Sequence, residues 1–229
     1  MFKGNWYKMS MNVNTVETLR LIAETTQTCR LCGLHSGRTH AVPGEGPAEA
    51  KVMLIGEGPG FHEDRQGRPF VGASGQFLDQ LLAMAGLQRG DVFIGNVIKC
   101  RPPKNRDPQP DEIKLCTEHY LFRQIEAINP AVIVTLGRFS MNLFMPGERI
   151  MRIHGQPRRI NGRLVVPMLH PAAALHQPQN RPLLEADFRR LPEFLAQVEA
   201  ERAAAATPAP PASQSEAKDE QPLQQLNLF

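Results

Sequence analysis

The sequence contains no long apolar segment and very little cysteine. None of its apolar runs approaches the roughly 20 residues that a membrane-spanning helix requires, so we expect no association with a membrane. It also shows no secretory-type apolar segment, which predicts a reducing, cytoplasmic compartment in which disulfides do not persist. The four cysteines are therefore expected to bind a metal centre.

Two nucleotide-binding patterns are missing as well. No G-K-[ST] follows a glycine-rich loop, which excludes a P-loop nucleotide hydrolase. The cluster Gly56-Glu-Gly-Pro-Gly60 lacks the spacing of the dinucleotide fingerprint, and its Pro59 offers no amide donor. A nucleotide-dependent redox protein is therefore disfavoured, and the cluster is either an ordinary turn or a place where the backbone approaches a ligand closely.

The charge of the chain is unevenly distributed. The net charge is +3, but acidic side chains outnumber basic ones in residues 200–229, so the rest of the chain is more basic than the total suggests. A basic body with an acidic tail suits a polyanionic partner, although this balance is weak support by itself.

Short apolar runs alternate with helical patterns along most of the chain. The runs cover residues 52–55, 92–97, 132–136 and 164–168, and the helical patterns cover residues 16–26, 75–85, 110–128, 139–144 and 183–200. This alternation predicts an α/β fold with a mostly parallel sheet covered on both faces. In such sheets ligands bind at the carboxyl ends of the strands.

Composition divides the chain into three parts. Residues 1–28 are interpreted as an N-terminal extension with a lead-in helix, and residues 29–199 as the globular domain. Residues 200–229, rich in Ala, Pro, Ser, Gln and acidic residues, cannot bury enough surface to fold and are predicted to be a disordered tail.

Candidate binding residues follow the predicted strands. Asn96 combines a donor and an acceptor, as needed to read one edge of a base, although turns also favour Asn. Phe70, which follows the acidic pair Glu63-Asp64, is either a core residue or a ring that stacks on a flat ligand. Pro171 favours an extended backbone at His170, which directs the imidazole away from the sheet.

A basic, proline-rich loop follows Asn96. It carries Lys99, Arg101, Lys104 and Arg106, which are either phosphate-binding residues or part of a solvated loop.

The cysteine spacing leaves two kinds of metal site open. Cys29 and Cys32 form a C-x2-C pair, whereas Cys100 and Cys116 lie far downstream and are not close in sequence. Zinc sites usually use two close pairs, and four thiolates from distant segments are equally compatible with an iron–sulfur cluster.

Taken in order, these segments resemble the family 4 uracil-DNA glycosylases, the iron–sulfur branch of that superfamily found in bacteria and archaea. The resemblance spans residues 29–195. It rests on the four cysteines and on Gly56-Glu-Gly-Pro-Gly60, Pro69-Phe-Val-Gly72, Asn96-Val-Ile-Lys-Cys-Arg-Pro-Pro103, Asn105-Arg106 and His170-Pro-Ala-Ala173.

The resemblance implies a three-layer α/β/α sandwich around a central four-stranded, mostly parallel sheet. It also implies a 4Fe-4S cluster on the four cysteines. The implied activity is base excision repair: deoxyuridine is flipped out of single- or double-stranded DNA, and its N-glycosidic bond is hydrolysed to release uracil and leave an abasic site. The alternative is a catalytically silent, cluster-bearing DNA-binding accessory protein of the same fold.

The resemblance also assigns roles to individual residues. Phe70 would stack on the uracil, and Asn96 would hydrogen-bond its polar edge and disfavour cytosine. Gly56 and Gly58 would shape the pocket, and His170 would donate to the uracil O2 as negative charge develops there.

The sequence leaves open which group orients the attacking water. Gly58 stands where the best-known uracil glycosylases place an Asp. Either Glu57 or Glu63 substitutes for it, or the reaction relies on stabilisation of the leaving group, which we favour.

The end of the chain resembles a second known element. Gln225-Leu-Asn-Leu-Phe229 is similar to the short peptide by which bacterial repair and replication proteins bind the sliding clamp, with contacts from Gln225, Leu226, Leu228 and Phe229. We expect a monomer associated with the nucleoid.

Overall fold

A computed structural model describes residues 15–206 of the chain. The segment 1–14, most of the predicted tail and the clamp-binding-like peptide at residues 225–229 lie outside the described residues. Between residues 15 and 206, no helix combines the length and the apolar character needed to cross a membrane.

The centre of the fold is a mostly parallel sheet, which confirms the predicted α/β class. Its strands are β1 (Val52–Gly56), β2 (Val92–Asn96), β3 (Val132–Leu136), β4 (Arg158–Ile160) and β5 (Arg163–Met168). The order is β2-β1-β3-β5-β4, and only β4 is antiparallel to its neighbour. The four parallel strands are the predicted ones, and their residues are apolar because helices cover both faces.

The fifth strand was not predicted. β4 is three residues long and begins with Arg158 and Arg159, so it forms no apolar run. The sequence signal for this strand is the Asn161-Gly162 turn that joins it to β5. Both residues have positive φ, as a two-residue hairpin requires. Charged residues on a short edge strand also discourage pairing with another chain.

Ten helices surround the sheet within the described residues. They are α1 (Thr15–Thr28), α2 (Phe61–Gln66), α3 (Ala73–Met84), α4 (Pro110–Cys116), α5 (Phe122–Ile128), α6 (Arg138–Phe144), α7 (Ile150–Ile153), α8 (Pro171–His176), α9 (Arg181–Arg189) and α10 (Leu191–Ala206).

Three helical predictions need correction. The helix expected over residues 110–128 is interrupted after Cys116 by a π-turn at Thr117–Leu121. The one expected over residues 183–200 is two helices, α9 and α10, which meet at Arg190. α10 continues to Ala206, so residues 200–206 are helical rather than part of a disordered tail.

The lead-in helix α1 packs against the body of the protein. The Thr15 hydroxyl donates to the Ala127 carbonyl on α5 at 3.0 Å, and Ile22 is fully buried. The first described residues therefore belong structurally to the globular unit.

Apolar side chains fill both faces of the sheet. On one face Leu78, Leu81 and Phe188 belong to a core formed with α3 and α9. On the other, Ile125 and Met141 of α5 and α6 pack in a second core. This arrangement confirms the three-layer α/β/α prediction.

The parallel strands bring their carboxyl ends to one edge of the sheet. Gly56 at the end of β1 pairs with Asn96 at the end of β2, and Leu136 pairs with Met168. His170 follows β5 by two residues. The predicted ligand edge therefore exists, and the candidate residues of several strands meet there.

Candidate active site

A pocket of about 600 Å³ opens at this edge of the sheet. Its lining includes Glu57, Gly58, Phe70, Asn96 and His170, all of them candidates from the sequence. Glu63 also lines the pocket, so the structure brings together side chains that lie more than 100 residues apart in the chain.

Asn96 presents an unpaired acceptor beside this pocket. The residue is 2 % exposed, and its Oδ1 is buried without a hydrogen-bond partner in the described part of the chain. Leaving a buried acceptor unpaired costs about 1–3 kcal/mol. A ligand that donates a hydrogen bond at this point would recover that free energy.

Gly56 leaves the room that this acceptor needs. A Cβ at position 56 would lie 2.5 Å from the Asn96 Oδ1 and 2.7 Å from the Phe70 Cζ. Any side chain larger than hydrogen would therefore displace either the amide or the ring.

Lys99 stabilises the backbone at Asn96, and its burial contradicts the prediction of a phosphate-binding or solvated side chain at this position. Its fully buried Nζ donates to the Asn96 carbonyl at 3.0 Å and to the Gln124 Oε1 at 2.7 Å. The Gln124 Nε2 in turn donates to the Pro43 carbonyl at 2.8 Å. Burial lowers the pKa of Lys99 to about 8, and a basic residue three positions after a strand gives no signal of such burial.

Phe70 is held in a backbone conformation that side chains rarely adopt. Its φ is +50°, in the left-handed region. The Glu63 carboxylate accepts hydrogen bonds from the amides of Val71 and Gly72, both at 2.9 Å, and from Gly60 at 3.1 Å. Glu63 thus connects the two loops that flank the pocket.

Arg89 fixes the same loop from the other side. Its guanidinium donates to the Phe70 carbonyl at 3.0 Å and to the Pro69 carbonyl. Its Nε pairs with Glu45 at 2.7 Å. A Cβ on Gly75 would lie 1.8 Å from the Phe70 carbonyl oxygen, so this approach requires glycine.

His170 is held as a neutral donor. It is the N-cap of α8, where its Nδ1 accepts a hydrogen bond from the Ala172 amide at 3.2 Å. The proton of the neutral ring is then on Nε2. Burial lowers the pKa of His170 to about 4, and Glu63 opposes this only in part. The imidazole stacks on the Phe70 ring at 5.6 Å between centroids, with 28° between planes.

Glu57 differs from Glu63 in its surroundings. It is half-buried in the pocket wall, where burial and then the negative charge of Asp107 raise the pKa of its carboxyl, against the opposing effect of Arg138. The carboxylate oxygens of Glu63 accept hydrogen bonds from backbone amides. No side-chain hydrogen bond of Glu57 is found among the described residues.

The basic loop is internally braced. The Arg106 guanidinium pairs with the buried Glu112 carboxylate at 2.7 and 2.9 Å. The Arg101 Nε donates to the Asn105 Oδ1 at 2.7 Å. Lys104 and Asn105 both have positive φ, and Arg106 reaches the pocket lining.

The four cysteines border one cavity, together with Tyr120. Two of the thiols accept hydrogen bonds: the Cys100 Sγ from the Arg38 Nη1 and the Cys116 Sγ from the Lys99 amide, each at 3.2 Å. Burial raises the pKa of Cys32 and Cys100, and that of Cys116 to about 12.

Within residues 15–206, no three His, Cys, Asp or Glu side chains converge closely enough to hold a single metal ion. One zinc ion would draw its thiolates to about 2.3 Å from a common centre. A cluster of several irons takes thiolates at separate metal atoms. Four thiols around one cavity, two of them accepting N–H hydrogen bonds, are a donor set that suits a thiolate-bound metal centre of either kind.

The cysteine cavity and the pocket share one segment. Lys99 donates through its amide to Cys116 and through its Nζ to the Asn96 carbonyl. One residue therefore contacts both a cysteine thiol and the residue that presents the unpaired acceptor.

Comparison with known proteins places this site in a family. The model of the uracil DNA glycosylase superfamily matches residues 43–196. The chain is 48% identical to a type-4 uracil-DNA glycosylase of Saccharolobus solfataricus, over 79% of this chain and 88% of that protein.

Further type-4 uracil-DNA glycosylases are similar over comparable lengths. The identity is 46% to the enzyme of Archaeoglobus fulgidus, covering 78% of this chain and 94% of that one. It is 41% to the enzyme of Thermotoga maritima, covering 78% and 95%. The chain belongs to the uracil-DNA glycosylase superfamily and, within it, to the type-4 family.

Proposed function

We propose that the protein removes uracil from DNA by hydrolysing the bond between the base and its deoxyribose. The observation that carries this proposal is the buried, unpaired Asn96 Oδ1 beside the Phe70–His170 pair. Membership of the type-4 family supports the same activity.

The pocket matches the functional groups of a flipped uracil. Uracil carries a hydrogen on N3, which the Asn96 Oδ1 accepts, whereas the N3 of cytosine is itself an acceptor and leaves that oxygen unpaired. The flat base stacks on Phe70. The ring of Phe70 can lie this close to β1 because position 56 is a glycine. Extrusion of the nucleotide costs least where it is mispaired or single-stranded.

His170 stabilises the leaving base. When the bond between C1′ and N1 breaks, its electron pair passes to the uracil ring and raises the negative charge at O2. The His170 Nε2–H donates to that oxygen. A neutral imidazole performs this role without a charge that burial would make costly.

Two carboxylates of the pocket, those of Glu57 and Glu63, are candidates to orient the water that attacks C1′. Glu63 is a positioning residue, because its oxygens hold three backbone amides around Phe70. Both carboxylates line the pocket, but Glu57 is the better candidate to orient the water, since its pKa is raised and no backbone amide of the described residues holds its oxygens. The reaction relies mainly on stabilisation of the leaving group, with Gly58 leaving space in the pocket wall.

The basic loop positions the DNA. Arg101, Lys104 and Arg106 lie in the segment that joins Asn96 to α4, beside the pocket. Phosphate contacts from this loop would fix the strand while the base is flipped.

Cys29, Cys32, Cys100 and Cys116 hold a 4Fe-4S cluster in this proposal. The cluster supplies structural cross-linking of the N-terminal segment to the basic loop. This chain's own residues, Asn96, Phe70 and His170, bind and polarise the base, and no cysteine lines the pocket.

The C-terminal peptide gives the enzyme a second contact. Residues 225–229 bind the bacterial sliding clamp through Gln225, Leu226, Leu228 and Phe229, and this binding places a monomeric enzyme on DNA in the nucleoid.

The activity and the role of His170 are tested together. Incubation with an oligonucleotide containing one uracil is expected to produce alkali-labile abasic sites, and His170→Ala to lower the single-turnover rate about 100- to 1,000-fold. Because the pKa of His170 is lowered to about 4, the ring stays neutral from pH 5 to 8. The wild-type rate should therefore show no inflection near pH 6.5, the ordinary pKa of histidine.

Two results would contradict this account. Absence of abasic sites with wild-type protein would favour the silent accessory protein, and an inflection near pH 6.5 that disappears in His170→Ala would show a charged His170. Circular dichroism and unchanged iron content serve as controls for folding.

The cysteine proposal predicts a brown protein containing iron and inorganic sulfide in equal amounts. Cys100→Ala should lose the colour and unfold the basic loop, so that activity disappears indirectly, whereas His170→Ala should keep the colour. Metal analysis, visible absorption and limited proteolysis measure these effects. A colourless wild-type protein with stoichiometric zinc would overturn the iron assignment.

Deletion of residues 225–229 should abolish binding to the sliding clamp and leave uracil release from short oligonucleotides unchanged. Surface plasmon resonance with immobilised clamp measures the first effect. Clamp affinity equal to that of the full chain would refute this role of the peptide.

A further inference from the structure

Phe61 is exposed at the rim of the pocket, where the proposed reaction gives it no role. It is the first residue of α2, and its exposed fraction is 47 %. Among the side chains described between residues 15 and 205, it is the only exposed phenylalanine, tyrosine or tryptophan. A single exposed apolar residue is common on protein surfaces, so the significance of this ring depends on the side chains around it.

Two arginines lie against this ring. The Arg65 Cζ is 5.7 Å and the Arg101 Cζ 5.2 Å from the centroid of Phe61. Arg65 comes from the next turn of α2, and Arg101 from the loop that follows Cys100. Neither guanidinium forms an ion pair with a carboxylate of the described residues, and that of Arg101 donates through its Nε to the Asn105 Oδ1. We call Phe61, Arg65 and Arg101 the rim cluster.

The rim cluster adjoins the pocket through His62. The Phe61 and His62 rings pack edge to face, with 5.4 Å between centroids, and both residues line the pocket. A nucleotide next to the flipped uridine in the same strand would therefore leave the pocket mouth beside Phe61.

An aromatic surface flanked by cations is the combination found in single-strand-binding grooves. The ring stacks on a base of any sequence, and the guanidinium, itself flat, stacks on bases or pairs with phosphates. A paired base is held in the duplex by its partner strand and cannot turn onto a ring outside the helix, whereas an unpaired base can.

We propose that the rim cluster is a stacking site for the unpaired base that flanks the flipped uridine, and that it favours single-stranded or locally melted DNA. This inference rests on the proposed function, because it assumes that the pocket takes the uracil. The rival interpretation is that Phe61 only orients two phosphate-binding arginines.

The binding experiment uses single-stranded oligonucleotides with a non-hydrolysable 2′-fluoro-deoxyuridine, flanked on each side by either a base or an abasic spacer. Phe61→Ala is expected to weaken binding of the base-flanked strand about tenfold, within the range for loss of one stacked base. It should have little effect on the strand with spacers on both sides. Phe61→Trp should keep the affinity, and Phe61→Leu should lose most of it.

Met151→Ala is the matched control, because Met151 is also exposed, at 55 %, but does not line the pocket. It should leave every affinity unchanged. The effect of Phe61→Ala on a paired duplex should be smaller than on the single strand.

Two outcomes would overturn the stacking site. An equal loss of affinity with and without flanking bases would mean that the ring only orients the arginines, and no loss would mean that it makes no contact. Binding of an undamaged oligo(dA) is compared in parallel with that of a strand made only of abasic spacers. The two proposals separate if wild-type protein fails to excise uracil and still binds oligo(dA) more tightly than the spacer strand, with Phe61→Ala removing that difference. The proposed function would then be wrong, and the stacking site would be supported.

Discussion

The unpaired Oδ1 of Asn96 is the constraint on which the rest of the site depends. A buried acceptor without a partner is unfavourable, and it persists only where its surroundings prevent the side chain from turning towards another donor. The sheet provides the first restraint, because Asn96 ends β2 in register with Gly56 of β1. Lys99 provides the second through its hydrogen bond to the Asn96 carbonyl.

Hydrogen bonds with neighbouring residues also fix the other side chains of the pocket. Glu63 and Arg89 hold the loop of Phe70 through backbone hydrogen bonds, so that a strained φ is maintained in the pocket wall. His170 is held in one tautomer by the Ala172 amide. The pocket therefore presents the Nε2–H of a neutral imidazole beside side chains that hydrogen bonds hold in place.

The sequence predicted the strands and the sheet edge that carry this site, but not the side chains that hold the pocket residues in place. The apolar runs and the polar residues that follow them located β1, β2, β3 and β5 and the ligand edge, because those signals are local. The strand β4 was missed because it has no apolar run.

The supports depend on contacts between distant segments. The buried ammonium of Lys99 meets Gln124, and the guanidinium of Arg89 reaches back to Pro69 and Phe70. Neither position shows a pattern that distinguishes it from a surface residue. The same holds for Glu63, whose hydrogen bonds to the backbone amides around Phe70 depend on how the two loops that flank the pocket fold.

The most direct test of the central claim compares the binding of free uracil, 1-methyluracil and 3-methyluracil by competition with a uracil-containing oligonucleotide. The methyl group of 3-methyluracil replaces the hydrogen that the Asn96 Oδ1 would accept, whereas N1 is the atom bonded to the sugar in DNA. The account predicts similar affinities for uracil and 1-methyluracil, and an affinity for 3-methyluracil at least about tenfold lower, as expected when a buried acceptor stays unpaired. Equal binding of uracil and 3-methyluracil would contradict it.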